Sequence, residues 1–528
     1  MKKVREANMK FRTWMSTTLM CLCATLLALT IPLSAQDNPG HPHHKYKLMQ
    51  VGTFGGPDSD GVVGPAFSYL NNFNGQGATV GEAATNTADP FAPNCWYDCF
   101  VAHAFKFENG TTTDLGALPG TNSSASFGIN NNGLVVGASE NGLIDPSTGY
   151  PEYHAVAWRN GVLSDLGTLG GTVSQAFAVN DQGHVVGVAA NAIPDQYAYG
   201  LGPCTTWFCT GTSVTTQQRA FALYGGELHD LGTLGSGNDA AAYFVNAGGQ
   251  VAGISYTNAT PNSTTGLPTQ DPFFWSRSTG MVDVGSLGGT WGITYGFNQR
   301  GQVTGQSNLA GDQIYHPFLW DRGVLTDLGT LGGDSAYANW LNDAGDVVGA
   351  SDLAGNQVGH GFLWHKGVMS DLGTLPGFED SFALAINAGG EIVGASCGSA
   401  ECNGPQSAFL WENGGPMVDL NTLVPPSSLH LRLAYAIADS GEILAYATLP
   451  NGDVRVAVLS PDGDCDNDCA ERVAASESGP ATQAGQATRV TVSNAPISGK
   501  GATGRRPSLF GPRPASAATA RRNVELVQ

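Results

Sequence analysis

The chain has 528 residues, with 44 acidic and 24 basic side chains for a net charge of −20, and 72 of its residues are glycine. Between positions 48 and 460 the imbalance steepens to 35 acidic against 9 basic residues. A field of that sign repels phosphate backbones and excludes nucleic acid as a partner.

The chain opens on a basic head, Lys2, Lys3, Arg5, Lys10 and Arg12, followed by an apolar stretch over residues 15–33. Small Ser34 and Ala35 then precede polar Gln36, which reads as a signal peptide (1–35) cleaved near Ala35, so that the protein is secreted to the periplasm or the exterior. Ser16, Thr17, Thr18 and Pro32 interrupt the stretch and speak against a membrane anchor, and no later segment is long and apolar enough to span a bilayer. Residues 36–44 carry His41, His43 and His44 and read as a His-rich linker.

Self-similarity dominates residues 45–460, where three motifs recur in fixed order, eight times each when degenerate copies are counted. Asp-Leu-Gly-Thr-Leu-Gly-Gly stands at 165–171 and 327–333, with looser copies starting at Asp114, Asp230, Asp283, Asp371 and Asp419. A small-residue stretch ending in Asn turns at Gly into Val-Val-Gly, as at 129–137, 179–187, 341–349 and 386–394. An apolar strand ending in an aromatic follows, as at 103–107, 154–158, 316–320 and 360–364. These runs of four to six residues, punctuated by Gly and Asn, predict four short strands per unit. Asn109-Gly110, Asn160-Gly161 and Asn413-Gly414 have the sequence of type I′ hairpin turns. The fold expected is all-β, an eight-bladed β-propeller of four-stranded antiparallel blades, with seven blades or an open β-solenoid as the alternatives. The array begins on a lone Asp-Leu-Gly-type strand at 45–54 and ends on a lone aromatic-type strand at 455–460. Residues 45–54 are therefore expected to complete the last blade and close the ring, which removes the sheet edges.

On these motifs, and on His103-Ala104-Phe105 in particular, residues 45–460 resemble the HAF-repeat family of probable extracellular repeat proteins. The resemblance implies export and a repetitive β fold, and it carries no activity and no functional residues.

Strand alternation puts the tight turns, such as 130–133 and 320–323, on one face of the ring and the connections from Val-Val-Gly to the aromatic strand on the other. Those connections are long after Gly81, Gly137, Gly187 and Gly253 and short after Gly305 and Gly349. Length variation confined to one face marks it as the binding face. Beyond the leader, eight cysteines form four close pairs, Cys95/Cys99, Cys204/Cys209, Cys397/Cys402 and Cys465/Cys469, expected as disulfides because the spacing does not suit zinc thiolates. Two of the rings enclose aromatic pairs, Trp96-Tyr97 and Trp207-Phe208, which are candidate ligand-stacking residues; packing onto neighbouring blades is the alternative.

The repeated histidines (His103, His154, His316, His360) recur once per unit, too far apart around a ring to share a metal. The repeated Asn residues, from Asn71 to Asn387, read as Asx-turn formers, and the Asp of each Asp-Leu-Gly as a hydrogen-bonding group within its blade. Asp462, Asp464, Asp466 and Asp468 alternate in a disulfide-closed acidic turn (461–470) that resembles the start of a calcium loop; otherwise no cofactor is expected. Residues 471–528 read as a disordered tail whose end is basic. Nucleophile elbows, zinc-protease helices and phosphate loops are absent from the sequence. The function expected is a monomeric, non-enzymatic secreted scaffold that binds a glycan or protein ligand through its loop-rich face. The alternatives are a carbohydrate-active hydrolase or lyase with its site at the channel mouth, and a structural protein of the envelope or matrix.

Overall fold

The computed structural model describes residues 45–61, 72–90, 100–119, 123–146, 149, 151–198, 215–398, 404–412 and 414–462. Their strands form eight four-stranded antiparallel sets, the blades of a β-propeller. Seven run in sequence over residues 55–114, 124–167, 170–230, 240–283, 288–327, 332–371 and 380–419. The eighth comprises His430–Ile437, Ile443–Thr448 and Val454–Asp462, with Lys45–Gln50 added as its outer strand. In each complete blade the chain runs from an inner strand ending near the Asn turn, through the Val-Val-Gly strand and the aromatic strand, to the Asp-Leu-Gly strand outside. No helix among the described residues is long and apolar enough to cross a membrane.

The ring closes as the sequence predicts. Lys45–Gln50 pairs antiparallel with Val454–Asp462 from Lys45 opposite Asp462 to Gln50 opposite Ala457. Tyr46, Leu48 and Val51 are buried behind it. The eighth blade meets the first through Val454 N–H, which donates to Asp58 Oδ1 at 2.6 Å, and through bonds from Arg455 to the Pro57 carbonyl and from Tyr446 to Asp60.

Three sequence features explain the packing. At one equivalent position of the aromatic strand every blade buries its side chain completely: Phe105, Phe221, Phe273, Phe318, Phe362 and Phe409, with Val156 in the second blade and Ala457 in the eighth. The Gly of Val-Val-Gly admits the neighbouring backbone, since a Cβ at Gly187 would lie 1.9 Å from the Gln175 carbonyl oxygen. Type I′ geometry is present at Asn109-Gly110 (φ 52° and 77°) and Asn160-Gly161 (φ 51° and 77°), as predicted. Arg322 and Lys366 adopt the same left-handed conformation (φ 49° and 48°) without being Asn. Asn413 lies outside the described residues.

The repeated Asn does more than form its turn. Oδ1 of Asn74, Asn130, Asn180, Asn246, Asn298, Asn342 and Asn387 accepts from the N–H four residues on, at 2.9–3.0 Å. Nδ2 of each donates to the main-chain carbonyl at the equivalent position of the next blade, at 2.8–3.4 Å, the last bond reaching Ala438. The result is a belt of seven links around one face. In the first blade the residue is Asn74 and not Asn71, because the turn is set by a glycine three residues on, Gly77, whose N–H donates to the Asn74 carbonyl. Asn71 lies outside the described residues.

Candidate functional site

Two parts of the ring qualify as a site, the axis and the loop-bearing rim. Each inner strand of blades two to eight carries one extra residue, a β-bulge, at the same place: Phe127, Phe177, Tyr243, Tyr295, Asn339, Leu384 and Tyr435. A bulge re-aims a side chain, and here successive bulged rings meet one another. Ring centroids of Phe127 and Phe177 lie 5.8 Å apart, and those of Phe177 and Tyr243 5.7 Å. Phe244 of the fourth blade then reaches Trp340 of the sixth at 5.9 Å, so aromatic packing links blades that are not neighbours in the ring. These residues belong to one apolar cluster that runs from the second blade to the sixth.

The rim is built differently. In blades two to four the second strand overshoots and kinks where Asn141, Asn191 and Asn258 accept through Oδ1 from the N–H two residues on, at 2.8–2.9 Å. The strand register slips by a bulge at the same point, between Glu140 and Ile144, Ala190 and Pro194, and Tyr256 and Pro261. The hairpin bases of blades two and three are tied to the following blade: Thr172 Oγ1 donates to Asp145 at 2.7 Å, and Asn238 Nδ2 to Asp195 at 2.6 Å. Beyond these ties stand Leu143, Ile144 and Ile193, 60%, 49% and 55% exposed. In blades five and six the connection is a short turn at Asp312 or Asn356 that bonds back to its own inner strand. The rim is thus high over blades one to four and low over five and six.

Trp96, Tyr97, Trp207 and Phe208 lie outside the described residues, as do Cys95, Cys99, Cys204, Cys209, Cys402, Cys465 and Cys469. On either side of these two segments, Ala88 pairs with Phe100, and Pro194 with Thr216, at the rim ends of the first and third blades. Cys397 ends the strand Ile392–Cys397 and is fully buried. Asp462 ends the last strand and pairs with Lys47 Nζ at 3.0 Å, while Asp464, Asp466 and Asp468 are outside the described residues. Among the described residues no three His, Cys, Asp or Glu side chains converge as a metal-holding group.

The repeated histidines have partners that the sequence reading did not assign. His103, His154, His316 and His360 each direct Nδ1 at the Asp of the adjacent outer strand (Asp114, Asp165, Asp327, Asp371) at 2.9–3.0 Å, and Arg219 Nε does the same to Asp230 at 2.9 Å. The same Asp accepts from the Gly N–H two residues on, for example Gly116 and Gly373 at 2.7 Å. Partial burial raises Asp371, but the His360 ring and the Gly373 N–H outweigh it and hold the carboxyl below its ordinary range. The Asp371 hydrogen bond correspondingly raises His360 against the opposing effect of burial. The signal was in the sequence: the two members stand 11 residues apart in every one of these pairs.

One buried acid sits between the third and fourth blades. Asp239 accepts from Gln218 N–H at 2.7 Å, yet its Oδ2 and Gln218 Nε2 have no partner among the described residues. Burial, with Asp195 adding to it against the Gln218 N–H, pushes Asp239 up to about 7. A carboxyl raised in the folded state binds a proton there that the unfolded chain has already released. Its contribution therefore falls as pH rises from about 4 to about 7 and is flat above. Asp239→Asn is expected to raise stability at pH 8 by about 1–4 kcal/mol and leave pH 4 little changed, read as a shallower dependence of melting temperature on pH. An unchanged slope would refute this.

No family model and no curated protein matches the chain. Among solved structures it is similar to Porphyromonas gingivalis dipeptidyl peptidase 4, at 10% identity over 71% of this chain and 58% of that one, with a TM-score of 0.34. It is also similar to TolB from Acinetobacter baumannii (12% identity, 63% and 81% covered, TM-score 0.26) and to Trypanosoma rangeli sialidase in complex with the inhibitor DANA (10% identity, 79% and 55%, TM-score 0.29). The chain spans less than two thirds of the peptidase and of the sialidase, and likenesses of this strength carry no argument about function.

Proposed function

We propose that this is an exported HAF-type repeat scaffold, acting as a monomer, that binds a glycan or protein ligand through the high side of its rim. The observation that carries the reading is that, among the described residues, the second strand is long and kinked or slipped in register in blades one to four, with hairpins tied to the following blade and apolar side chains left in solvent in blades two and three. Loops vary where ligands are met, and the ring beneath supplies rigidity. Aromatic packing between blades four and six favours this reading over a reaction centre at the channel mouth. In it, the Cys95–Cys99 and Cys204–Cys209 rings hold Trp96, Tyr97, Trp207 and Phe208 as stacking surfaces rising from the first and third blades.

The test is a glycan array probed with the chain from Gln36 onward, with and without calcium. Trp96→Ala and Trp207→Ala are expected to abolish retention of the bound glycan, a loss of at least tenfold in affinity, with the melting temperature unchanged. Binding intact together with a lower melting temperature would assign these rings to packing instead.

A further inference from the structure

The outer edge of the blades carries an internal control for charge. Five blades pair the outer-strand Asp with a basic side chain two residues before the buried position of the aromatic strand: His103, His154, Arg219, His316 and His360. In the seventh blade Asp419 instead accepts from the side-chain amide of Asn421 at 2.9 Å. The fourth blade breaks the rule with its sign reversed. Asp271 occupies the His position, and Phe273 opposite Asp283 repeats the register of Phe105 opposite Asp114. Residues two apart on a strand share a face, so Asp271 stands toward Asp283 as His103 does toward Asp114.

Asp271 is 8% exposed, and its Oδ1 has no hydrogen-bond partner among the described residues. Asp283 is exposed and accepts from Gly285 N–H at 2.7 Å, but it has no basic partner among the described residues. Burial first, and the charge of Asp283 second, push Asp271 up to about 7. A half-buried carboxylate pair without a counter-charge is costly, and it stands here at the place where five other copies supply a cation of their own.

We infer that the Asp271–Asp283 pair is a binding site for a divalent cation, which supplies from solution the positive charge that His or Arg supplies in five other blades. The donors are carboxylate oxygens only, with no nitrogen or sulfur, which suits calcium, its remaining positions being taken by water. The site opens to solvent on the Asp283 side and lies on the blade whose second strand carries the last of the kinked hairpins. It differs from the acidic turn at 462–468 in position and in every ligand.

The test uses the whole chain from Gln36 onward, treated with a chelator and titrated with calcium by calorimetry, with magnesium as the comparison. Millimolar calcium is expected to give heat of binding and to raise the melting temperature by roughly 1–4 °C. Asp271→His rebuilds the charge pair of the other blades, and the fold already accommodates that residue before proline, as His316-Pro317 shows in the fifth blade. This variant is expected to lose the heat at this site and to melt, without calcium, at or above the parent's calcium-bound temperature. Asp283→Asn, at an exposed position, serves as the second variant and is expected to lose the heat while remaining folded. Heat surviving in both variants in equal amount would place calcium elsewhere, and no heat from the parent protein at 10-fold molar excess and millimolar concentration, read with no change in melting temperature, would leave Asp271 neutralised by a proton alone; either result overturns the site.

Discussion

Removal of residues 45–50 is expected to lower the melting temperature by roughly 10 °C or to leave the chain insoluble, the largest single effect anticipated for this protein. The strand contributes Tyr46 and Leu48, 1% and 4% exposed, and leads into fully buried Val51. Burying the two side chains that the deletion removes is worth about 3–6 kcal/mol, and Val51 loses the segment that leads into its site. The strand is also fastened at both ends: Tyr46 N–H donates to the Leu423 carbonyl at 2.9 Å, Val51 N–H to Val456 at 2.9 Å, and Lys47 pairs with Asp462. Its loss would bare the edge of Val454–Asp462, a strand with five consecutive buried residues, and such an edge templates aggregation. Leu48→Asp in the full-length chain serves as the companion variant, since it breaks the packing without shortening the chain. A truncated protein that melts within a degree or two of the parent would mean that the ring does not depend on this strand.

Asn180→Ala is expected to cost about 2–4 kcal/mol, far more than a turn residue at a surface. Asn180 is 6% exposed, and its side chain holds two blades at once, accepting from His184 N–H at 2.9 Å and donating to the Asn246 carbonyl at 2.9 Å. Alanine leaves a backbone N–H and a carbonyl short of partners in the interface. Asn180→Asp separates the two roles. It keeps the acceptor for the turn, removes the donor to the next blade and sets a carboxylate against a carbonyl, so it is expected to destabilise at least as much as alanine at pH 8 and less at pH 4. Chemical denaturation of the three proteins at both pH values measures this. If Asn180→Asp matches the parent at pH 8, the residue acts in its own turn alone and the belt contributes nothing.

The repeat architecture was legible because every unit states it again. Four apolar runs per unit, Asn-Gly turns and a spare strand at each end are independent signals, and Lys45–Gln50 pairing with Val454–Asp462 is the arrangement they require. The partners between units were less legible. A single Asn explains an Asx turn without further assumption, and nothing local shows that Nδ2 of Asn130 reaches the Asn180 carbonyl 50 residues away. The bulged residues were hidden for a related reason: Phe127 and Phe177 read as ordinary members of apolar runs, and only the register slip between strands turns them toward one another. The His–Asp pairs were readable from their fixed spacing of 11. So was the exception in the fourth blade, where Asp271 and Asp283 are 12 apart because the turn gains a residue while the strands keep register. Of the candidate site, the structure describes the hairpin bases and their ties, whereas Trp96, Tyr97, Trp207 and Phe208 lie outside the described residues.

Hydrogen exchange along the closing strand tests the closed ring most directly. Amides of residues 46–50 and 455–460 are expected to exchange together and as slowly as those of the fully buried strand Ile392–Cys397 in the seventh blade, because a closed ring opens as a unit. Exchange of residues 46–50 at the rate of an unstructured chain, with Ile392–Cys397 still protected, would contradict closure and leave an open array of blades.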